Sequence, residues 1–405
     1  MIRKLHRGDN IFAMRILMLH PHDIRYHPWT IRIIKLAEEL ARKSHSVTVG
    51  FIEHKRASEP DFARLREIPS GPVQYVPLRA RDNQTHRNIL DVIGLARDVD
   101  IIHFQKCFAS TFIPALWASW RWGKPLHYDW DDNETLILRE IHGLPPGFLS
   151  QAKFLEKRIP HYADTISVSS DGLLELCLKC GFPVERIRKV PVGADLETFN
   201  PQHPRENFRQ EAPFLVGERP LVVYIGQLEG AAYAGLFVEA CGILSEKFPE
   251  AVWMVVGGGP MLPRLKDQAY QLNLSHRVVF TDYLPSDRIP DVLAAADIAV
   301  ACFSDEGFVR CKSPLKVAEY MAAGKAIVAS DVGEVPWMTQ GAAVLVRPGD
   351  SQALAGGIQS LLENPSLREE LGIKARQRAE TCINWQQSAE KLEEAYRLAL
   401  QTESK

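Results

Sequence analysis

The chain alternates short, fully apolar runs with longer stretches in which apolar residues recur every three or four positions. The first kind reads as buried strand and the second as amphipathic helix. In the first half, strands are expected at Arg15–Leu19, Ser46–Phe51, Val73–Pro77 and Asp100–Phe104. Helices are expected at Thr30–Lys43 and Phe112–Trp122. Pro201–Gly217 is polar, contains proline and has no period, as a hinge would. The second half restarts the alternation, with strands at Pro220–Ile225, Val252–Val256, Arg277–Thr281, Ile298–Cys302 and Ala326–Ser330. Helices lie between them, and three more are expected at Asp350–Leu362, Leu367–Glu380 and Gln386–Leu400. Strands apolar along their whole length, alternating with helices, predict parallel sheets covered on both faces, hence two Rossmann-like α/β domains.

The densest chemistry lies in Lys312–Ser330 (KSPLKVAEYMAAGKAIVAS). Ser313 has the side chain of an N-cap, Pro314 suits a first helical position, and Gly324 suits a left-handed C-terminus. The helix start offers free N–H groups of Leu315 and Lys316 to an anion, flanked by Lys312 and Lys316. Glu319 lies three residues beyond Lys316 on the same face, where a carboxylate accepts from a pair of sugar hydroxyls. Phosphate at the helix end and a diol one turn deeper describe a nucleotide-sugar. An ordinary capped helix with a Lys–Glu ion pair on its surface is the plain alternative.

Other polar groups gather after strands. His20, His22, Asp23, Arg25, Tyr26 and His27 follow the first strand, and Arg25 has the reach and charge for a phosphate. The histidine spacing fits no common ligand set, so a polar loop is expected rather than a metal site. Asp129, Asp131 and Asp132 follow the run Lys124-Pro-Leu-His-Tyr, at a strand end where open α/β sheets place ligands. They suit hydroxyl recognition or base chemistry, with a metal-binding Asp-x-Asp as the competing reading. Gly226-Gln227-Leu-Glu-Gly and Gly257-Gly-Gly-Pro are tight turns after strands; glycine turns of this kind are weak evidence for phosphate.

The run Lys312-Ser313-Pro314-Leu315-Lys316-Val-Ala-Glu319-Tyr-Met-Ala-Ala-Gly324 resembles the donor-site signature of glycosyltransferase family 4. It is closest to a variant with a Lys-Ser-Pro-x-Lys run. The resemblance extends from about Arg15 to Leu400. It implies a GT-B fold, two Rossmann-like domains facing each other across a cleft. Residues 1–205 would form the acceptor domain, 206–385 the donor domain, and a helix in 386–405 would cross back to the first. It implies a retaining transfer from a UDP- or GDP-sugar to an acceptor hydroxyl of a saccharide or lipid-linked acceptor, in polysaccharide, glycolipid or other glycoconjugate synthesis, with no metal or other cofactor. Glu319 would hold the ribose, Tyr283 and Leu284 the base, and Gly226 and Gln227 the turn beside the diphosphate. Lys316, Asp129 and Asp131 would serve the reaction. The chain departs from the family in three places. Cys311 replaces the first Glu, with Glu306-Gly-Phe resembling that segment displaced upstream. Asp131 replaces a His, and Gln227 an Arg. A non-catalytic binding subunit and a sugar-nucleotide epimerase are the alternatives.

Composition narrows the partners. A net charge of −2 over 405 residues, split about +5 before residue 206 and about −7 after it, argues against nucleic acid. Seven Cys without framework spacing suggest a reducing compartment, and Cys177-x-x-Cys180 reads as core thiols. No run approaches ~20 apolar residues, and the basic start lacks the apolar core of a signal peptide, so a ragged leader and a cytoplasmic location are expected. Trp117, Trp120 and Trp122 read as core; peripheral contact with the inner face of a membrane is the sharper alternative. No Gly-x-Gly-x-x-Gly follows the first strand, which weighs against a dinucleotide-dependent dehydrogenase.

Overall fold

The computed structural model describes residues 13–25, 29–53, 67–79, 85–140, 146–212, 214–215, 217–229 and 233–401. The expected leader, together with Tyr26 and His27, lies outside them.

The elements follow in chain order. They begin β1 (Arg15–His20), α1 (Ile31–Arg42), β2 (Ser46–Ile52), β3 (Gln74–Leu78), α2 (Thr85–Leu95), β4 (Ile101–Gln105), α3 (Ala109–Trp122) and β5 (Leu126–Trp130). Next are α4 (Glu134–Glu140), α5 (Pro146–Arg158), β6 (Thr165–Val168), α6 (Asp171–Lys179), β7 (Ile187–Lys189) and α7 (Glu206–Glu211). Then come β8 (Leu221–Ile225), α8 (Tyr233–Leu244), β9 (Val252–Val256), α9 (Leu262–Gln271), β10 (Val278–Phe280), α10 (Ile289–Ala295), β11 (Ile298–Ala301) and α11 (Gly307–Arg310). The chain finishes with α12 (Leu315–Ala322), β12 (Ala326–Ser330), α13 (Val335–Thr339), β13 (Val344–Val346), α14 (Ser351–Glu363), α15 (Pro365–Cys382) and α16 (Trp385–Gln401).

Two sheets result, in the orders β3-β2-β1-β4-β5-β6-β7 and β10-β9-β8-β11-β12-β13. Every pair in the second is parallel, as are the pairs from β3 to β5 in the first. Each is an open α/β sheet of the doubly wound kind, and each reverses strand order once, at β1/β4 and at β8/β11. Ligands of such sheets bind at the carboxyl ends of the strands flanking the reversal. The chain divides into two compact units, residues 1–129, 158–166 and 393–405 in one and 130–157 and 167–392 in the other.

In the first unit, β1 and β4 are buried along nearly their whole length, and the end of α16 returns to them. The Tyr396 hydroxyl lies 2.8 Å from His103 Nδ1 in β4, and Lys43 meets Glu393 at 3.2 Å. In the second unit, Trp253, Phe237 and Val255 lie in a continuous apolar core between the sheet and α8, α9 and α14. Central β8 (LVVYI) is fully buried, which carries its C-terminal end into the middle of the unit.

Two expectations change. The stretch read as a hinge is held onto the second unit. It contains α7 with Phe208 buried, and Arg205 and Arg209 both reach Asp297, at 2.9 and 3.4 Å. Trp117 and Trp120 are 50% and 62% exposed, so they are not core; only Trp122 of the three is tied down, its indole N–H donating to Ile93 O at 2.8 Å. No helix among the described residues is long and apolar enough to cross a membrane. None of the seven cysteines is in a disulfide, and burial pushes the Cys177 thiol up to about 12, in keeping with a core thiol.

Candidate active site

The carboxyl ends of β8, β9 and β10 are knitted together by backbone. Gly226 N–H donates to Val256 O and Leu228 N–H to Gly258 O, both at 3.0 Å, and Gly257 N–H donates to Asp282 O at 3.1 Å. The glycines explain the closeness. Gly257 has φ +143°, and a Cβ there would lie 1.9 Å from Gly226 O; one on Gly259 would lie 2.5 Å from Leu228 O. Only glycine fits such an approach. The triple glycine therefore serves backbone packing, and it is the Gly226 turn that faces the side chains below. Gln227 is exposed beside it, Tyr283 is 40% exposed after the β10 turn, and Leu284 is half-buried.

Helix α12 brings the expected donor residues to this point. Lys316 Nζ sits 4.2 Å from the Tyr224 ring centroid and 5.8 Å from that of Phe303. It also touches Gly226, where a Cβ would lie 2.5 Å from Nζ. Burial pushes the ammonium down to about 8, a fall opposed by Cys302 and Glu319 and aided by Lys312. Burial pushes the Glu319 carboxyl up to about 8, and Lys316 opposes that rise. The two are half-buried yet form no ion pair with each other among the described residues, which removes the plain reading of a Lys–Glu surface pair. Aromatic faces, a weaker partner than a carboxylate, are what Lys316 has instead.

The start of α12 differs from expectation. Pro314, at ψ 111°, is the residue before the first helical one, and Ser313 makes no cap. Its hydroxyl accepts from Val192 N–H at 3.2 Å. With that side chain engaged elsewhere, the N–H groups of Leu315 and Lys316 have no partner among the described residues. Gly324 does take the left-handed conformation, at φ +63°. Tyr320, next to Glu319, was not singled out by its sequence position. Its hydroxyl accepts from Ile225 N–H at 3.0 Å and so fixes α12 against the end of β8. Tyr224 and Phe303, the rings under Lys316, also went unnoticed because they read as ordinary strand residues.

Lys312 Nζ lies 5.1 Å from the Phe308 ring centroid. Glu306 precedes α11 and is half-buried; burial and Glu140 raise its carboxyl, and Lys312 opposes them. Cys311 is buried, its thiol pushed up to about 11, and its carbonyl accepts from the Ser170 hydroxyl at 2.8 Å.

Two residues of the first unit leave the candidate site. Asp129 receives both its oxygens' hydrogen bonds from Arg32, at 2.7 and 2.8 Å, with both side chains almost fully buried. It is a structural ion pair next to His103 and His127, and neither a sugar-facing carboxylate nor half of an Asp-x-Asp metal motif. Arg25 is bound by Asp23 at 2.6 Å and by Glu53 at 3.2 Å, which commits its guanidinium to carboxylates rather than a phosphate. His20 pairs with Gln105 at 2.9 Å, in keeping with a polar loop. Asp131 lies in the second unit, within 4.8 Å, ligand atom to ligand atom, of Asp132 and Glu134. This acidic trio lies where β5 ends.

The chain matches the family described as glycosyl transferases group 1 over residues 205–378 and the glycosyl transferase 4-like domain over residues 31–193. It is 27% identical over 256 residues to a GDP-mannose-dependent alpha-(1-6)-phosphatidylinositol monomannoside mannosyltransferase of Mycolicibacterium smegmatis. That match spans 62% of this chain and 66% of the relative. A D-inositol 3-phosphate glycosyltransferase of Xylanimonas cellulosilytica is 24% identical over 393 residues, 90% of each chain. Among solved structures, HepE of Anabaena in complex with UDP and glucose superposes with a TM-score of 0.71 at 19% identity, covering 94% of this chain and 99% of that one.

Proposed function

Since the chain belongs to the glycosyltransferases of the GT-B fold, we propose that it moves a sugar from a UDP- or GDP-sugar to an acceptor hydroxyl with retention at the anomeric carbon. One observation carries this reading. A half-buried ammonium without a carboxylate partner among the described residues, Lys316, lies on aromatic faces at the β8/β11 reversal, beside two unpartnered helix N–H groups and one turn from Glu319.

Each part has a task in such a transfer. The departing nucleoside diphosphate develops negative charge as the glycosidic bond breaks. Lys316, Lys312 and the N–H groups of Leu315 and Lys316 stabilise it, and preorganised donors in a buried site are worth more than the same groups in water. Ser313 and Pro314 shape that helix start, and Gly226 and Gln227 line the turn beside it. Glu319 accepts from the ribose hydroxyls, and Tyr283 and Leu284 cover the base. Asp131 accepts from the acceptor or the sugar. The expected division at residues 205/206 and 385/386 moves: the unit that carries α12 holds residues 130–157 and 167–392 and would be the donor domain, and residues 1–129, 158–166 and 393–405 would be the acceptor domain. No metal is assigned: an acidic trio alone is not a site. One relative uses GDP-mannose and one structural neighbour binds UDP, so both bases stay in the proposal. A glycolipid or other lipid-linked acceptor, reached from the cytoplasmic side, suits the exposed Trp117 and Trp120.

The test is a thermal-shift and calorimetry panel of UDP, GDP, ADP, TDP and their sugars on wild type and Glu319→Ala, followed by an assay for released nucleoside diphosphate. A ligand at 100 times its Kd adds about 2.7 kcal/mol to stability. One base shifting the wild type and not the variant is expected. No shift with any nucleotide would overturn the transferase reading. Binding without release, given any acceptor, would favour a non-catalytic subunit, the reading that buried Cys311 in place of a carboxylate supports.

A further inference from the structure

Tyr233 opens α8 and holds a buried polar atom that no described residue uses. Its main-chain carbonyl accepts from the Cys302 thiol at 3.0 Å, and its ring packs edge-on against Phe303, centroids 5.4 Å apart at 72°. Phe303 is the same ring that faces Lys316 Nζ at 5.8 Å. The ring and the backbone of Tyr233 are thus fully accounted for by packing. The hydroxyl is not: it is closed off from water and has no hydrogen-bond partner among the described residues. A phenylalanine would keep every contact named here without burying an unpaired O–H, which is ordinarily destabilising.

An atom of this kind calls for a ligand, and its surroundings select the ligand's chemistry. Burial and the carboxylates of Glu306 and Glu140 keep the phenol protonated, so it is a hydrogen-bond donor looking for an acceptor oxygen. The same two carboxylates repel a phosphate oxygen and tolerate a neutral hydroxyl. The cations of the site, Lys316 and Lys312, take the charged end of the donor. Glu306 is half-exposed, so this acidic side of the subsite borders solvent.

We propose that Tyr233 is a specificity-determining residue for the transferred sugar, its O–H donating to a neutral hydroxyl oxygen of that sugar. This rests on the nucleotide-sugar reading above. It places the sugar's polar edge toward α8 and the diphosphate toward α12, with Phe303 between them.

The experiment compares wild type and Tyr233→Phe with two pairs of probes, UDP against UDP-glucose and GDP against GDP-mannose, by calorimetry and by thermal melting without ligand. Tyr233→Phe should melt no lower than wild type, because only an unpaired hydroxyl is removed. It should bind the nucleoside diphosphate within about twofold of wild type and the cognate nucleotide-sugar about tenfold or more weakly, the scale of one lost hydrogen bond in a buried site. Equal binding of the nucleotide-sugar by both proteins overturns the assignment and leaves the transferase reading intact. So does parallel loss of both probes, which would put the hydroxyl on the diphosphate. A lowered melting point overturns it too, since the hydroxyl would then have a structural partner. If wild type binds neither probe pair, the transferase reading itself falls and this one with it.

Discussion

Lys316 fills the space that a side chain on Gly226 would need. A Cβ on Gly226 would lie 2.5 Å from the Lys316 ammonium nitrogen and 3.3 Å from its Cε, with the Tyr224 hydroxyl at 3.5 Å. The turn after β8 and the helix that carries the cations are therefore matched to each other at one atom. The missing side chain is what lets the ammonium lie under the turn, against the Tyr224 ring.

Gly226→Ala tests that match. Gly226 does not sit at positive φ, so alanine fits its backbone. The clash is with the end of a flexible side chain, which can swing aside. Stability should change by less than about 1 kcal/mol, the range of a substitution that strains nothing rigid. Affinity for the nucleoside diphosphate should fall about tenfold or more as the ammonium is displaced, the scale of a lost charge-assisted contact. Urea unfolding and calorimetry on the same preparations check both halves. A large loss of stability with unchanged affinity would mean that Lys316 has no part in binding.

The Lys316–Glu319 turn predicts an unusual pH dependence of stability. Glu319 has its carboxyl raised in the folded chain to about 8, against an unfolded value near 4.5. Between those values the folded state holds the proton more tightly, so the contribution of Glu319 is full below pH ~4.5 and is lost as pH rises through about 8. Lys316 is lowered to about 8 from 10.5. From about 8 to 10.5 the unfolded state binds more protons, so stability rises with pH there. Glu319→Gln should flatten the fall below pH 8, and Lys316→Met the rise above it. Melting temperatures of the three proteins from pH 5 to 10 would show both; identical profiles would mean that neither group is buried as described.

Lys316 also predicts a separation of stability from activity. Its half-buried ammonium lies on aromatic faces without a carboxylate among the described residues, so Lys316→Met should leave the melting point at pH 7 unchanged or higher. Turnover should fall by about 10²–10³, the usual cost of removing one preorganised charge-stabilising group. Release of nucleoside diphosphate measured beside the melting curve is the check. Loss of folding would place Lys316 in the scaffold rather than the site.

The sequence carried the fold and the donor helix further than it carried the polar residues. Fully apolar strands such as LVVYI and AIVAS have one reading in a parallel sheet, and both are buried strands. Lys312–Gly324 combined a helix period with a left-handed glycine, and its placement follows from local physics. The partners of single charges were harder to read. Asp129 pairs with Arg32, 97 residues away, and no local pattern marks that contact, so the charge read as free for a ligand. Arg25 is held chiefly by Asp23, only two residues away, with Glu53 adding a contact 28 residues off; that local pair stood in the sequence and was passed over. Ser313 was misread for a related reason: its N-cap chemistry was correct for a helix start, but Val192, 121 residues distant, takes the hydroxyl. Trp117 and Trp120 show the converse, since aromatic density alone does not tell which face of a helix is covered.

The Arg32–Asp129 pair predicts a stability effect. Both side chains are almost fully buried and joined by two hydrogen bonds. Removing one partner leaves the other charged and unpaired, at a cost of about 3–5 kcal/mol, whereas replacing both with apolar residues of similar volume is often close to neutral. Asp129→Asn should therefore lower the urea midpoint sharply, and the double variant Arg32→Met/Asp129→Leu should recover most of the loss. If the pair is structural, the double variant should also retain donor binding. A double variant that folds well but no longer binds would return Asp129 to the site.

On the proposed donor-site reading Cys311 takes the place of a first carboxylate, and introducing that carboxylate is the sharpest test of where the site's acid lies. Cys311 is 5% exposed, and its thiol is raised by burial and by the nearby carboxylates of Glu156, Asp132 and Glu175, an effect that Asn133 opposes. A glutamate there is longer than the thiol it replaces, must lose its water, and must face three neighbouring carboxylates. Overpacking costs about 1–3 kcal/mol, and burying an unpaired carboxylate adds more unless it takes up a proton. Cys311→Glu should therefore destabilise the chain by about 3 kcal/mol or more at pH 8, and by less at pH 5, where the new carboxyl is neutral. Cys311→Ser, nearly the same size, should cost far less. Nucleotide-sugar affinity should not improve in the glutamate variant, because Glu306, half-exposed and neighboured by Lys312, already supplies an acid on that side of the helix. Denaturant midpoints at the two pH values and one calorimetric titration decide the matter. A stable Cys311→Glu protein with tighter donor binding would show that the acidic position is 311 and that Glu306 is only a surface charge.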